Sequence, residues 1–352
     1  MAEKQHSEVL EPAPYLTANW LGTLVGWGRL VKTPRRLVRG VRRRGKRLWL
    51  SRRVRRIWWD LGIRQNDDVC SVEIKESVGF FAVMTWCLWI LRYCEGQGLS
   101  ADLRLTSELY RDRNRGSNWL THYFDACQLV GSEEVARRVR YTKKVSELED
   151  MEHLIPVSMT LGEGSRLVNK YLRPKPHIGK IVDDFWAIVG GDGPVLGVHF
   201  RGTDKSWEAP RVSWEHCLTV VETYLRRHDA VKALFVASDE QAFVDFMADS
   251  IKDVPVYSRE DHYRSRRSDG LPVHLSDGGG YEKGEDALVN ALLLAKCSAL
   301  IRTTSTLSAW ASVFDPDIKV ILLNKPYRNN LWYPESEIMK KPDTEYWPEP
   351  SR

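Results

Sequence analysis

A short apolar run that ends abruptly in polar residues constrains the fold of this chain more than any other feature. Val195–Val198 is followed directly by His199–Lys205, which holds a histidine, an arginine, an aspartate and a lysine. This pattern predicts an inner strand of a parallel sheet whose carboxyl end faces a ligand crevice. Arg201 would offer a permanently charged guanidinium to phosphate oxygens, and Gly202 would allow a close approach of backbone or ligand. The alternative is a strand end followed by a solvated loop.

Two further apolar runs end in the same way. Leu234–Ala237 is followed by Ser238 and Asp239, although Ser238 could simply cap the next helix. Ala299–Ile301 leads into hydroxyl residues at a predicted helix N-terminus, where free N–H groups and hydroxyls form an anion site. These hydroxyl residues are Thr303, Thr304, Ser305, Thr306 and Ser308. The three strand ends together predict a diphosphate bound at the edge of a parallel sheet.

Several well-known phosphate-binding motifs are absent from the sequence. There is no GxxxxGKS/T motif, which argues against a P-loop NTPase, and no GxGxxG after the first strand, which argues against NAD. No DxD pair follows a strand to hold a metal ion against a sugar nucleotide. An enzyme that neutralises a leaving diphosphate with arginine and backbone amides, without metal, fits these observations.

Strand and helix patterns alternate along two segments of the chain, on either side of the glycine cluster Gly190–Pro194. The cluster predicts a domain boundary. We expect an arm over 1–60 and two α/β domains over 61–190 and 191–352. The polar loops 111–119 and 258–283 could reach a ligand, and solvated loops are the alternative. Strands are predicted at 70–74, 103–105, 195–200, 233–237, 254–257, 299–301 and 319–323, and helices at 77–95, 178–189, 213–227, 240–249 and 285–295.

The positive charge of the chain is concentrated in the N-terminal arm. Fourteen of the 52 Lys and Arg residues lie between Arg29 and Arg56, a stretch without acidic residues, so the remaining 38 are outnumbered by the 47 Asp and Glu. Five tryptophans fall within residues 15–59. Arginine interleaved with tryptophan favours binding to an anionic membrane surface. Nucleic acid, or no partner at all, remains an alternative for this arm.

The cysteines and the apolar runs suggest a cytoplasmic protein. Six cysteines are scattered without a CxxC pair, which argues against a zinc site and favours a reducing compartment. The first ten residues do not have the pattern of a signal peptide. The longest apolar run, Val78–Ile90, is too short to span a bilayer and predicts a buried helix.

Three motifs in this order resemble those of the fucosyltransferase superfamily, which includes the α-1,6-fucosyltransferases of the nodulation and N-glycan-core types and the protein O-fucosyltransferases. They are VHFRGTDK (198–205), LFVASDE (234–240) and KGEDALVNALLLAKCSALIRTTSTLSAW (283–310). The resemblance covers about residues 69–325. It implies a GT-B-like α/β fold, with two Rossmann-like domains facing a cleft, and an inverting, metal-independent transfer from GDP-fucose. The donor would bind to 191–352 and the acceptor to 61–190.

The resemblance also implies roles for the residues that follow the first strand end. Arg201 matches the arginine that grips the β-phosphate of the donor, and His199 matches a neighbour of the guanine and ribose. Asp204 and Lys205 match the polar pair after that arginine. Glu208 lies one residue short of the acid that acts as general base in one branch. The catalytic candidates are therefore Arg201, Asp204, Lys205 and Glu208.

The remaining donor-binding candidates come from the other two motifs. Ser305 and Thr306, next to Thr304, match the phosphate-binding hydroxyls of the superfamily. Asn290 stands where the superfamily usually has an aspartate for guanine, so a charge-assisted hydrogen bond is lost and another nucleotide sugar is the alternative donor. A non-catalytic nucleotide- or glycan-binding protein with a polyanion-binding arm is the alternative of a different class. The full donor-binding set is His199, Arg201, Gly202, Ser238, Asp239, Asn290, Thr304, Ser305 and Thr306.

Overall fold

The structure, a computed structural model, describes residues 69–96, 100–126, 140–143, 159–191, 193–202, 209–260, 279–327, 341 and 343–348. These residues belong to one compact unit, which extends from Gln65 to Arg352. The basic arm, and with it the prediction of membrane binding, lies outside the described residues. So do three of the predicted catalytic residues, Asp204, Lys205 and Glu208.

Strands and helices alternate through most of the described chain. The strands are β1 (Val69–Ile74), β2 (Ser100–Leu105), β3 (Phe124–Ala126), β4 (Arg140–Lys143), β5 (Leu172–Pro174), β6 (Val195–Phe200), β7 (Ala233–Ser238), β8 (Val256–Tyr257), β9 (Ala299–Arg302), β10 (Lys319–Leu322) and β11 (Glu345–Tyr346). The helices are α1 (Phe80–Gly96), α2 (Leu120–Tyr123), α3 (Leu161–Tyr171), α4 (Pro176–Val189), α5 (Trp214–Arg227), α6 (Gln241–Ser250), α7 (Gly280–Ala295) and α8 (Thr306–Phe314). Short 3₁₀ turns occur at Glu108–Tyr110 and Arg113–Arg115.

The larger sheet has six strands in the order β11-β10-β9-β6-β7-β8, and every neighbouring pair is parallel. From β6 the chain continues outward through β7 and β8, and it later returns to the other side of β6 with β9. The strand order therefore reverses between β6 and β9. In open α/β sheets, ligands bind in the crevice outside the carboxyl ends of the strands at such a reversal.

The central strands of this sheet are mainly apolar because both of their faces are covered. All six residues of β6 and all six of β7 are buried, as expected for inner strands of a parallel sheet. Helix α5 begins after Ser213, whose hydroxyl accepts a hydrogen bond from the backbone N–H of His216 and so caps the helix. The polar residues after each strand are therefore held on a rigid, packed scaffold.

A second, smaller parallel sheet has the order β2-β1-β4, and β3 pairs with β5 in a separate antiparallel ribbon. Helix α1 contains the longest apolar run of the sequence and is buried on most sides, as predicted. Among the described residues, no helix is both long enough and apolar enough to cross a membrane. The five described cysteines are buried and not in disulfides.

Buried hydrogen bonds join α1 and α2 to the helices around the larger sheet. The indole N–H of Trp310 on α8 donates to Oγ1 of Thr85 on α1 over 2.9 Å. The single O–H of Tyr123 lies 2.7 Å from the carbonyl oxygen of Tyr110 and 2.9 Å from that of Tyr281. A Cβ at Gly284 would lie 2.3 Å from this hydroxyl oxygen. Glycine is therefore required at position 284 for α7 to pack against Tyr123.

Most of the predicted elements are present and differ from the prediction only at their ends. The elements that were not predicted lie mainly between β2 and α4. Helix α7 begins at Gly280 rather than at 285, because the ring of Tyr281 stacks on Tyr123 with centroids 5.3 Å apart. Tertiary packing thus overrides the low helix propensity of glycine. Helices α2 and α3 and strands β3, β4, β5 and β11 were not predicted, since they are short or follow no clear apolar period.

Candidate functional site

A cavity with about 760 Å³ of empty space opens at the carboxyl edge of the larger sheet, where the strand order reverses. Its walls come from the ends of β6 and β7, the start of α8, one face of α7, and two segments near α1. The lining residues are Gly79, Phe80, Phe81, Tyr110, His199, Arg201, Ala237, Ser238, Asp239, Lys283, Asp286, Ala287, Asn290, Thr306 and Leu307.

The end of β6 places His199 and Arg201 in this cavity, with the backbone held by the neighbouring strand β9. The N–H of Thr303 donates to the carbonyl oxygen of His199 over 3.0 Å. The N–H of Arg201 donates in turn to Oγ1 of Thr303 over 2.9 Å. These two bonds fix the course of the chain at the point where the arginine side chain leaves the sheet.

The end of β7 contributes a carboxylate beside the arginine. Asp239 Oδ2 lies 3.8 Å from Arg201 Nε, and Asp239 Oδ1 accepts from the backbone N–H of Gly202 over 3.3 Å. The hydroxyl of Ser238 accepts from the backbone N–H of Glu240 over 3.1 Å. Ser238 therefore lines the cavity and supports the turn before α6. It does not cap this helix, because the capping position is Glu240 and no side-chain capping bond is present there.

The hydroxyl-rich turn before α8 divides into lining and supporting residues. Thr306, the first residue of the helix, lines the cavity. Thr304 is fully buried, and its hydroxyl and backbone N–H both bond to Asn324, at 2.8 and 2.7 Å. Ser305 is also fully buried and precedes the helix without a side-chain capping bond. The helix N-terminus thus faces the cavity mainly through Thr306 and the backbone of the first turn, an arrangement suited to an anion.

One face of α7 forms the opposite wall. Lys283, Asp286, Ala287 and Asn290 are spaced three, four and seven residues apart, which places them on one side of the helix. The side-chain nitrogen Nδ2 of Asn290 donates to the carbonyl oxygen of Asp286 over 2.7 Å. Sequence reasoning identified only Asn290 on this face. The helical spacing from Asn290 was the signal that would have added the other two polar residues, Lys283 and Asp286.

A buried ion pair stands behind this helix face. Arg259 Nη1 lies 2.8 Å from Asp286 Oδ1, and both side chains are only 6% exposed. Lys283, one turn before Asp286, is also buried. Charged groups buried so deeply are usually paired, as here, because removal from water is costly. The wall therefore holds its charges in fixed positions.

The remaining part of the cavity is apolar. Phe80 and Phe81 at the start of α1, Tyr110 and Leu307 line it. Phe80 packs edge-to-face on Tyr110 with centroids 5.3 Å apart, so the aromatic rings keep fixed orientations. A cavity with aromatic surface at one side and an arginine and a helix N-terminus at the other suits a ligand with an aromatic base and phosphate groups.

A second cavity, with about 500 Å³ of empty space, adjoins the first at Arg201. Gly202 lines this second cavity and not the first, and Glu240 faces it from the start of α6. Burial, and in second place the charge of Asp239, raises the pKa of the Glu240 carboxyl above its ordinary value. The residues lining the second cavity are Phe200, Arg201, Gly202, Ala209, Pro210, Arg211, Val212, Trp214, Glu240 and Asn324.

The structure thus brings the three predicted strand ends together at one edge of the sheet. Six of the predicted donor-binding residues line the first cavity, namely His199, Arg201, Ser238, Asp239, Asn290 and Thr306. Gly202 lines the second, and Thr304 and Ser305 are buried outside both linings. Within the part of the chain that the structure describes, no three His, Cys, Asp or Glu side chains lie close enough to hold a metal ion. Metal independence of the reaction stays a prediction.

No protein-family model and no curated protein matches the chain. The chain is similar to several solved structures. A structure of NodZ alpha-1,6-fucosyltransferase soaked with GDP-fucose is 18% identical, with 70% of this chain and 93% of that chain covered and a TM-score of 0.48. A structure of fucosyltransferase NodZ from Bradyrhizobium is 17% identical, with 70% of this chain and 92% of that chain covered and a TM-score of 0.48. A variant of Arabidopsis thaliana FUT1 in complex with GDP is 11% identical, with 74% of this chain and 71% of that chain covered and a TM-score of 0.44.

Both NodZ structures are of a fucosyltransferase. At identities of 11–18%, the activity of this chain has to be argued from its own residues.

Proposed function

We propose that the chain is a glycosyltransferase that transfers fucose from GDP-fucose to a glycan or glycolipid acceptor, with inversion at the anomeric carbon and without metal. The observation that carries the proposal is the cavity at the strand-order reversal, in which Arg201 and the N-terminus of α8 line the same space. Together with the three motifs, this arrangement supports a nucleotide-sugar donor.

The proposed chemistry requires negative charge to be stabilised on the leaving diphosphate. As the bond between the anomeric carbon and the phosphate oxygen breaks, charge develops on that oxygen. A fixed guanidinium and the backbone N–H groups of a helix start stabilise this charge more strongly than they stabilise the bound donor, which lowers the barrier. Arg201 suits this role because the hydrogen bond to Thr303 holds its backbone.

We further propose that the base of the donor occupies the part of the first cavity between the aromatic wall and α7. Phe80 and Tyr110 offer apolar surface there, and Asn290 and Asp286 offer polar groups on the opposite side. Because residues of both sequence halves line this one cavity, the arrangement supports the GT-B-like organisation implied by the motifs. Residues 191–352 would supply the phosphate-binding part, and residues 61–190 the aromatic wall beside the base.

Isothermal titration of the full chain with GDP, UDP and GDP-fucose tests the donor. We expect GDP and GDP-fucose to bind more tightly than UDP, without added metal. A preference for UDP would favour the alternative donor suggested by Asn290 and would reject the proposal in its present form. Binding of GDP without release of GDP from GDP-fucose, in the presence of saccharide acceptors, would favour a non-catalytic nucleotide-binding protein instead.

The acceptor is to be identified from the products. We propose incubation with GDP-fucose and a panel of chitin oligosaccharides, N-glycans and cell-envelope lipids, followed by mass spectrometry for a mass increase of one fucosyl residue. Digestion with fucosidases of known anomeric specificity would then test inversion. A product with the anomeric configuration of the donor would contradict the inverting mechanism.

We propose that the protein works at the cytoplasmic face of a membrane, to which the basic segment 15–59 attaches it. The support is the charge of this segment, with 14 Lys and Arg between Arg29 and Arg56, and its tryptophans. Each basic side chain near an anionic bilayer contributes up to about 1 kcal/mol, and tryptophan adds a salt-resistant part. The full chain should sediment with anionic liposomes and be only partly released by salt. Binding to random-sequence nucleic acid but not to such liposomes would reject this role.

A further inference from the structure

The two cavities meet at the short segment formed by Arg201 and Gly202. Arg201 lines both cavities, whereas Asp239 lines the first and Glu240 the second. The side chains of two consecutive acidic residues, Asp239 and Glu240, therefore line different cavities. A donor whose phosphates contact Arg201 in the first cavity would have its reacting end close to the boundary with the second.

Glycine at position 202 allows the carboxylate of Glu240 to reach this boundary. A Cβ at Gly202 would lie 2.5 Å from Glu240 Oε1 and 2.8 Å from Oε2, so a side chain here would displace the carboxylate. The indole N–H of Trp214 donates to Oε2 over 3.2 Å and so restrains the carboxylate. No other hydrogen bond or ion pair to Glu240 occurs among the described residues, apart from its backbone bonds.

The other groups of the second cavity suit a saccharide. Trp214 provides an aromatic surface for the apolar face of a sugar ring, while Arg211 and Asn324 provide planar polar groups for its hydroxyls. Binding sites for small polar ligands generally combine an apolar surface with a few placed polar groups in this way. The half-buried Glu240 is the acidic residue among those lining the second cavity.

We propose that the second cavity binds the saccharide acceptor and that Glu240 takes the proton from the acceptor hydroxyl during transfer. This inference rests on the proposed function. In the step, the acceptor O–H bond breaks and its proton moves to the Glu240 carboxylate, while the oxygen forms a bond to the anomeric carbon. The bond from that carbon to the phosphate oxygen breaks, and the electron pair leaves with GDP. Partial burial, which disfavours the charged carboxylate, makes it a better proton acceptor at neutral pH.

Glu240→Gln in the full chain tests the proposal, with Glu222→Gln on the exposed side of α5 as matched control. Glutamine keeps the size of the side chain and an oxygen that can accept from Trp214, so the fold should be retained, which thermal unfolding can verify. The reaction is followed as release of GDP from GDP-fucose, with water and with a chitin oligosaccharide as probe acceptors. Titration with GDP is measured in parallel.

We expect Glu240→Gln to lower kcat by at least ~10²-fold, the usual effect of losing a general base, while its affinity for GDP stays within about twofold because Glu240 does not line the first cavity. The acidic limb of the wild-type pH–rate profile should disappear in this variant. Glu222→Gln should match the wild type in kcat, profile and GDP affinity.

Two results would overturn the proposal, and they differ. If the wild type releases GDP and Glu240→Gln does so at a similar rate with the same acidic limb, Glu240 is not the proton acceptor, although the proposed function stands. If the wild type neither binds GDP nor consumes GDP-fucose, the proposed function fails, and the acceptor site fails with it.

Discussion

The backbone N–H of Arg201 donates a hydrogen bond to the side-chain oxygen Oγ1 of Thr303, 2.9 Å away. This bond connects the end of β6 to the end of β9, the two strands between which the strand order reverses. From the sequence, Thr303 is one of several hydroxyls expected to bind phosphate. In the structure it is buried, and its hydroxyl supports the residue that faces the ligand.

Thr303→Val should weaken both the fold and nucleotide binding. Valine has nearly the same shape but cannot accept a hydrogen bond, so the N–H of Arg201 loses its partner. We expect the free energy of unfolding to fall by about 1–3 kcal/mol, as measured by urea denaturation, and the affinity for GDP to fall with it. Thr303→Ser keeps the hydroxyl and should retain most of both properties. A larger effect of serine than of valine would show that the methyl group matters rather than the hydrogen bond.

Arg201→Ala should abolish most of the activity with little effect on stability. Loss of one preorganised donor to a developing negative charge typically lowers turnover by at least ~10²-fold. The side chain faces the two cavities and is 20% exposed, so the melting temperature should change little. Arg226→Ala, on the exposed face of α5, is the control for loss of charge. Near-normal GDP release by Arg201→Ala would contradict the assignment of this residue.

Arg259→Met should be strongly destabilising because it breaks the buried ion pair with Asp286, in which Nη1 and Oδ1 lie 2.8 Å apart. Breaking a buried pair in this way typically costs about 3–5 kcal/mol. Lys180→Met, which removes an exposed pair with Asp184 on α4, should cost less than about 1 kcal/mol. Urea denaturation of both variants provides the comparison. A similar small loss in both would show that the buried carboxylate of Asp286 does not depend on Arg259.

The carboxylate of Glu95 should make the stability of the fold depend on acid. Its hydrogen bonds, first to Arg166 and also to Lys170 and Tyr171, lower its pKa from 4.5 to about 2. Because the folded-state pKa is the lower one, this stabilisation is present above pH about 4.5 and is lost as the pH falls toward about 2. Glu95→Gln should therefore lower the free energy of unfolding at pH 7, and the difference from wild type should shrink over that range. A difference that stays constant down to pH 2.5 would contradict this role.

The sequence predicted the strand ends well because their signal is local. The apolar run Val195–Val198 stops at a polar segment, and the structure places β6 at Val195–Phe200, the range predicted for this strand. Parallel strands share the direction of their carboxyl ends, so Arg201, Asp239 and Thr306 could be expected at one edge without knowledge of the strand order.

The wall of the first cavity formed by α7 and Phe80 was harder to predict from the sequence, because it depends on packing between distant segments. Lys283 was predicted to lie in the polar loop 258–283, yet it is a buried residue of α7. Phe80 belongs to the apolar run that predicts a buried helix, and nothing local shows that it also lines a cavity with Arg201. Similarly, the separate positions of Asp239 and Glu240 on two cavities follow only from the course of the chain at Gly202.

The bonding of Tyr123 bears on how this protein can be recombined with others. The glycine cluster before β6 has the appearance of a linker at which two halves of different origin could be joined. Yet the hydroxyl of Tyr123 contacts the carbonyl oxygens of Tyr110 and Tyr281, which lie on opposite sides of that junction in the sequence. It also lies where a Cβ at position 284 would be, so this position favours glycine. A chimera with the second half of another protein would lose the packing of Tyr123 against α7 and part of the cavity wall. The two halves are therefore not interchangeable with those of other proteins. Donor preference should instead be altered by substitutions on α7 within the intact chain.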